Sequence, residues 1–197
     1  MPVSYKHKAV FVHIPKTGRQ SVSAMLGIGK NSAPNLYFGG LTHLNISLIE
    51  ARVDVSDKYI FTFVRDPYSR MISEYHWRMK NISSVVYNEP TRKLMEFPEY
   101  METLLHRWPK ILAGEKPWNE RAHVMPQYTF IDERVEVFRY ENFAEDCEKI
   151  KSKLGLDNLT PRVNVGKRKA KHTERTIEIV NQLYGEDFKR FNYPIKN

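Results

Sequence analysis

The fold follows from residues 9–21, which read AVFVHIPKTGRQS. The run Ala9–Ile14 is β-branched and aromatic, as expected of a strand that is buried on both faces. Pro15 ends this run, and Gly18 supplies a turn position with wide backbone freedom. The residues from Gln20 to Leu26 carry apolar side chains at helical spacing. This stretch therefore predicts a buried strand, a short loop and an amphipathic helix.

A second segment repeats this order. The apolar run Tyr59–Val64 stops at Arg65. Asp66 followed by Pro67 is typical of a helix start, because aspartate caps a helix and proline suits the first helical position. We expect this helix to continue to about Met79.

A third segment, near the C-terminal end, has the same order of strand, turn and helix. The run Val135–Tyr140 precedes a predicted helix from Ala144 to Leu154, which ends near Gly155. Strands that alternate with helices predict an α/β fold with a mostly parallel central sheet in a three-layer sandwich. In such sheets, ligands bind outside the carboxyl ends of the strands.

The length of 197 residues suits a single domain over residues 1–197. Residues 84–128 have scattered Pro, Trp and Tyr, and we interpret them as an insertion on the sheet that lines a substrate site, with a helix near Pro98–Arg107. A further helix is predicted over Thr173–Leu183, and the end of the chain, Phe188–Tyr193, is expected to pack back on the core. The 31 Lys and Arg against 23 Asp and Glu give a net charge of +8, which favours an anionic partner without choosing one.

The single cysteine, Cys147, excludes an intrachain disulfide, and we interpret it as a buried thiol in a helix. The first eight residues lack the apolar region of a secretory signal. No apolar run approaches the ~18 residues that span a bilayer. These features predict a soluble, cytoplasmic chain, and no His and Cys cluster with metal spacing occurs in the sequence.

The loop after the first strand has the chemistry of an anion site. Backbone N–H groups in a turn attract anions, Lys16 adds a full charge, and Thr17 and Ser21 add hydroxyl groups. The order differs from the G-x-x-x-x-G-K-[ST] loop of nucleoside triphosphatases, because Lys16 precedes the glycine. No persuasive aspartate follows a strand to hold magnesium, which disfavours ATP or GTP.

The second strand end offers another phosphate site. Arg65 closes the strand, and Ser73 lies on the second turn of the helix that follows. A guanidinium fork and a hydroxyl group could bind one phosphate together. Asp66 is interpreted as a cap, and Arg70 either assists with phosphate or is an exposed helix residue.

Together these motifs resemble those of the sulfotransferase superfamily, and the wording His-Ile-Pro-Lys-Thr-Gly at residues 13–18 is closest to the membrane-type carbohydrate enzymes of the heparan 2-O- and chondroitin type. The family usually continues Gly-Thr-Ser, whereas this chain has Arg19 and Gln20 before Ser21. The resemblance implies a donor, 3′-phosphoadenosine-5′-phosphosulfate (PAPS), and a P-loop-like 5′-phosphosulfate loop. It assigns that loop to Lys16, Thr17, Gly18, Arg19, Gln20 and Ser21.

The resemblance also assigns the donor's 3′-phosphate to Arg65 and Ser73. It extends more weakly to residues 139–143, which read RYENF. In the family a late basic segment commonly closes over the 3′-phosphate, and this role goes to Lys167, Arg168 and Lys169.

Catalysis in such an enzyme is mostly alignment and charge stabilisation. Lys16 is expected to balance the charge on the departing 5′-phosphate. The acceptor hydroxyl needs a base, and His43 between the two motifs is the best candidate, with Glu74 a weaker one. Related carbohydrate enzymes carry Gly-His at a comparable place, where this chain has Thr42-His43. The acceptor is expected to be a carbohydrate, no metal is required, and the oligomeric state is not predicted.

Two other functions stay open at this point. A small nucleotide kinase would also use a phosphate-binding loop, although its glycine-lysine order and magnesium ligands are missing. A non-catalytic module that binds nucleic acid or sulfated glycan would also fit the positive charge, and residues 162–175 form a basic run. No recognisable nucleic-acid-binding motif accompanies that run.

Overall fold

A computed structural model describes residues 3–28, 43–80, 87–88, 93–115, 118–157 and 170–197. Two compact units divide the chain: Met1–Arg65 with Gln127–Val165, and Asp66–Pro126 with Gly166–Asn197. The basic residues Lys167, Arg168 and Lys169 lie outside the described residues. The single-domain interpretation stays a prediction.

The strands are short and fall in both units. They are β1 Val3–Ser4, β2 Ala9–Phe11, β3 Tyr59–Val64, β4 Tyr87–Asn88, β5 Lys93–Leu94 and β6 Glu136–Arg139. The helices are α1 Arg19–Met25, α2 Ile46–Glu50, α3 Pro67–Lys80, α4 Phe97–Leu112, α5 Trp118–Arg121, α6 Phe143–Leu154 and α7 Glu174–Arg190. Two 3₁₀ turns, Gln127–Phe130 and Tyr140–Asn142, flank β6.

The first unit is built on a four-stranded sheet in the order β1-β2-β3-β6. The strands β2, β3 and β6 run parallel, with Phe11 opposite Phe61 and Val64 opposite Arg139, while β1 is antiparallel to β2. The predicted α/β class with a mostly parallel sheet and flanking helices is therefore confirmed. The carboxyl ends of β2, β3 and β6 meet at one edge, where the loop at Lys16 and the residue Arg65 also lie.

An aromatic core on one face of this sheet positions the flanking helices α1 and α6. Alternate strand residues share a face, so Phe11, Phe61 and Phe63 form one surface. Helix α1 packs against it through Val22 and Met25, and α6 adds further apolar side chains. One of these is Cys147, which is fully buried as predicted, and burial raises the pKa of its thiol to about 12.

The second unit consists of helices α3, α4 and α7 and the β4–β5 ribbon. Helix α3 begins as predicted, because an Asp66 carboxylate oxygen accepts a hydrogen bond from the backbone N–H of Ser69 at 3.0 Å. Helix α7 begins with a reciprocal capping box between Thr173 and Thr176.

Several elements differ from those expected from the sequence. Strand β1 was not expected, because its two residues carry no pattern. The first predicted strand stops at Phe11, although Val12 still donates a backbone hydrogen bond to the Phe61 carbonyl at 2.9 Å. Helix α7 has a non-helical backbone at Tyr184, directly after the predicted end at Leu183, and a second helical segment that was not predicted continues to Arg190.

Helix α4 replaces the shorter helix expected near Pro98–Arg107, and its buried face includes Phe97, Tyr100, Met101 and Leu104. The packing role expected of the C-terminal residues is confirmed, since Phe188 and Phe191 are buried. Within the described residues, none of the helices has the length and hydropathy needed to cross a membrane.

Candidate functional site

The loop between β2 and α1 has an unusual backbone. Lys16 has a φ of 72° and Gly18 a φ of 98°, so both lie in the left-handed region. The Thr17 side chain is fully buried, and its hydroxyl donates to the Ile14 carbonyl at 2.7 Å. Thr17 thus braces the turn from inside, and any contact with an anion would come from its backbone.

Gly18 is also confined by its surroundings. A Cβ atom at this position would lie 2.6 Å from the Phe143 ring, which begins α6. Because real Cβ contacts do not come this close and φ is positive, only glycine suits both constraints. The loop is therefore held from one side by an aromatic residue 125 positions away along the chain.

Arg65 reaches the same loop from the neighbouring strand end. Arg65 comes two residues after Phe63 and four after Phe61, so the three residues share one face of the strand. Arg65 is only 5% exposed. Its Nη1 donates to the Lys16 carbonyl at 3.1 Å, and its guanidinium lies 4.3 Å from the centre of the Tyr140 ring. Two cationic residues predicted from separate motifs are therefore joined at the carboxyl edge of the sheet.

Gln127 is a site residue that sequence analysis missed. It is fully buried at the start of a 3₁₀ turn. Its Oε1 accepts from the backbone N–H of Arg65 at 2.9 Å, and its Nε2 donates to the carbonyl of Arg65 at 2.8 Å. The side-chain amide of Gln127 thus hydrogen-bonds to both the backbone N–H and the carbonyl of Arg65.

Tyr140 and Phe143 were only recognised as part of the resemblance, without roles. Their rings lie 5.5 Å apart, and Phe143 also packs 4.8 Å from Phe63. The signal that could have found Tyr140 is its place directly after β6, at the same edge as Arg65. Gln127 carries no comparable signal, because no pattern in the sequence marks it.

His43 lies beside the end of β2. Its ring centre is 4.4 Å from that of His13, and its φ of 61° is left-handed. His13 is buried, whereas His43 is half-buried. The His43 ring thus lies next to the segment that leads into the Lys16 loop.

The other predicted site residues differ in position. Arg19 and Gln20 are exposed at the start of α1, and Ser21 is buried. Ser73 lies on the second turn of α3 in the second unit and is half-buried. Its partnership with Arg65 stays a prediction.

Arg70 and Glu74 have structural partners inside the second unit. Arg70 is fully buried, and its Nη2 donates to the carbonyls of His123 and Met125 at 3.2 and 3.0 Å. The interpretation of Arg70 as an exposed residue is therefore wrong.

Glu74 is also fully buried. Its Oε1 lies 2.7 Å from Arg78 Nε, and its Oε2 lies 2.9 Å from His123 Nδ1. A carboxylate with no exposed surface and two such partners is not placed to take a proton from an acceptor, so Glu74 is not retained as a candidate base.

The comparison with protein families agrees with this geometry. A family model described as "Sulfotransferase family" matches residues 1–194, nearly the whole chain. No curated protein and no solved structure matched the chain. The match spans the Lys16 loop, Arg65, Gln127 and Tyr140, so the chain belongs to the sulfotransferase family.

Proposed function

We propose that this protein transfers a sulfuryl group from PAPS to an acceptor hydroxyl, most simply on a carbohydrate. Membership of the sulfotransferase family supports sulfuryl transfer in general. The observation that carries the finer proposal is the hydrogen bond from Arg65 Nη1 to the Lys16 carbonyl, at 3.1 Å. It joins two cationic residues at adjacent strand ends, which suits a donor with phosphate groups at both its 5′ and 3′ positions.

In this proposal the Lys16 loop holds the 5′ end of the donor. The ammonium group of Lys16 would stabilise the negative charge that develops on the departing 5′-phosphate. Arg65 binds the 3′-phosphate, and Ser73, Lys167, Arg168 and Lys169 stay predicted ligands on the strength of the family resemblance. The left-handed Lys16 and Gly18 set the course of the loop that faces the donor.

His43 is proposed as the general base. The acceptor oxygen attacks the sulfur atom, the bond between sulfur and the 5′-phosphate oxygen breaks, and the bisphosphate leaves with the electron pair. The acceptor's proton passes to the neutral imidazole of His43, a side chain that commonly serves as a general base. The position of His43 beside His13, at the end of β2, supports this role.

The carbohydrate nature of the acceptor rests on two observations. The sequence of the loop most resembles that of carbohydrate sulfotransferases, and the net charge of +8 favours an acidic acceptor. An acidic glycan satisfies both, and it is the acceptor class to test first.

A binding and transfer experiment tests the donor. Isothermal titration should give tighter binding of 3′,5′-bisphosphoadenosine than of ATP with magnesium. Incubation with ³⁵S-labelled PAPS and a panel of glycans, phenols and peptides should place label on a glycan. Preference for ATP with magnesium would instead support the kinase alternative, and label on no acceptor together with retained nucleotide binding would favour a binding module.

Replacement of His43 by asparagine tests the base. Asparagine tolerates the left-handed backbone at this position, so the change removes the imidazole with little strain. We expect kcat to fall by roughly 10²- to 10⁴-fold, while the Kd for 3′,5′-bisphosphoadenosine changes little. His106→Asn, on an exposed position of α4, is the control. Equal kcat values for the two variants would remove His43 from the mechanism.

A further inference from the structure

We propose that Gln127 is a positioning residue for Arg65, and that Tyr140 completes its support. The inference rests on the proposed function, because it concerns the residue assigned to the donor's 3′-phosphate. All three residues belong to the first unit. Neither Gln127 nor Tyr140 is proposed to carry out chemistry.

The backbone of Arg65 is held by Gln127. The parallel ladder between β3 and β6 ends at the pair Val64 and Arg139, so Arg65 lies one residue beyond it. A buried backbone N–H or carbonyl needs a hydrogen-bond partner. Gln127 supplies both, accepting from Arg65 N and donating to Arg65 O at 2.9 and 2.8 Å. The side-chain amide thus continues the hydrogen bonding of β3 by one residue beyond the end of the ladder.

The guanidinium group of Arg65 is held by Tyr140 and by the Lys16 carbonyl. One face lies 4.3 Å from the centre of the Tyr140 ring, and Nη1 donates to the Lys16 carbonyl. Arginine has many rotamers, and ordering them on binding weakens affinity. A guanidinium that is already held by a ring and a carbonyl loses less freedom when it binds a phosphate.

Glutamine suits this position because of its two different polar groups. The primary amide of glutamine offers a donor and an acceptor at this distance from the main chain without depending on pH. A glutamate carboxylate could accept from Arg65 N but could not donate to Arg65 O. Methionine has similar length and volume but offers neither bond. The series Gln, Glu and Met therefore separates the two hydrogen bonds from the space that the side chain fills.

The experiment measures nucleotide affinity in the full chain. For Gln127→Met we expect the Kd for 3′,5′-bisphosphoadenosine to rise roughly tenfold, because the main chain of Arg65 loses both of its hydrogen bonds to residue 127. The KM for PAPS should rise in parallel, whereas kcat at saturating donor should change less than about threefold, since Lys16 and His43 are untouched. An unchanged Kd, or a fall in kcat at constant KM, would overturn the proposal.

Gln127→Glu adds a readout that a packing role would not move. A protonated carboxyl group can donate and accept like an amide, and burial raises the pKa of a carboxyl group. The ratio of the Kd of this variant to that of the wild type should therefore fall as the pH is lowered from 8 toward 5. A ratio that does not depend on pH would contradict the hydrogen-bond role.

Two controls separate positioning from stability. Ile150→Ala in the aromatic core should lower Tm without changing nucleotide Kd, because Ile150 packs in the cluster of Phe61 and Phe63. Tyr140→Phe should keep the affinity, whereas Tyr140→Leu should weaken it, because only an aromatic ring offers a π face to the guanidinium. If Ile150→Ala weakened binding as much as Gln127→Met at the same loss of Tm, the effect would be one of stability and the proposal would fail.

The proposed function and this inference fail in different ways. A wild-type protein that does not bind 3′,5′-bisphosphoadenosine would contradict the proposed function itself. A wild-type protein that binds it, with Arg65→Lys weakening the binding and Gln127→Met leaving it intact, would keep the proposed function and reject Gln127 as a positioning residue.

Discussion

Replacing Lys16 by methionine is expected to lower kcat for sulfuryl transfer by roughly 10²- to 10³-fold. The change removes the ammonium group while it keeps the length of the side chain. If Lys16 stabilises charge on the departing 5′-phosphate, its loss should raise the barrier of the transfer step more than it weakens binding of the donor. Steady-state kinetics with PAPS, together with titration of 3′,5′-bisphosphoadenosine, would measure the two effects.

A matched control for Lys16 exists at the other end of the same strand. Lys8 also has a left-handed backbone, with a φ of 46°, but it precedes β2 and so lies at the opposite edge of the sheet. Lys8→Met therefore removes a lysine that has the same left-handed backbone conformation but lies outside the loop. Equal kcat values for Lys16→Met and Lys8→Met would remove Lys16 from the mechanism, whatever the effect on binding.

Replacing Glu74 by alanine is expected to lower the free energy of unfolding by about 3–5 kcal/mol. Glu74 is fully buried on α3, and its two oxygens face Arg78 and His123. A carboxylate can only accept a hydrogen bond, so His123 Nδ1 carries the proton in this pair. Removing Glu74 leaves the nearly buried Arg78 guanidinium without its carboxylate. The loss of one partner from a buried ion pair is strongly destabilising, because the charge of the other partner stays buried without compensation.

Thermal unfolding followed by circular dichroism would show the effect as a decrease of Tm on the order of 10 °C. Glu178→Gln is the control, because Glu178 pairs with Arg175 on the exposed side of α7. We expect no measurable shift for that surface pair. If Glu74→Ala unfolded at the same temperature as the wild type, the network would not stabilise the second unit, and a functional role for Glu74 would have to be reconsidered.

The regular elements could largely be predicted because their signals are local. The strand β3 ends where Asp66 and Pro67 begin α3, and α6 ends at Gly155, whose φ is 62°. Caps and prolines act within a few residues, so short stretches of sequence suffice to place them. The unpredicted β1 shows the converse, since two residues have no periodicity and pair only because β2 offers them an edge.

The candidate site was predicted only in part, and the division follows distance along the chain. Lys16 and Arg65 were identified from their own motifs, and their meeting could be expected from two parallel strands that end at one edge of the sheet. The partners of Arg65 were not foreseen, because Gln127 and Tyr140 come 62 and 75 positions later. Arg70 and Glu74 were misjudged for a related reason, since a helical pattern does not tell which polar residues other helices will cover.

The amino-acid order alone was enough for the α/β class and for the prediction that Lys16 and Arg65 bind phosphate groups. These features depend on residue type and on contacts between near neighbours. Only the tertiary structure decided that Phe143 confines Gly18, that His43 lies beside His13 and that Gln127 holds the peptide of Arg65. Each of these contacts joins distant segments, and their formation depends on how the sheet and its helices pack rather than on any local preference of the chain.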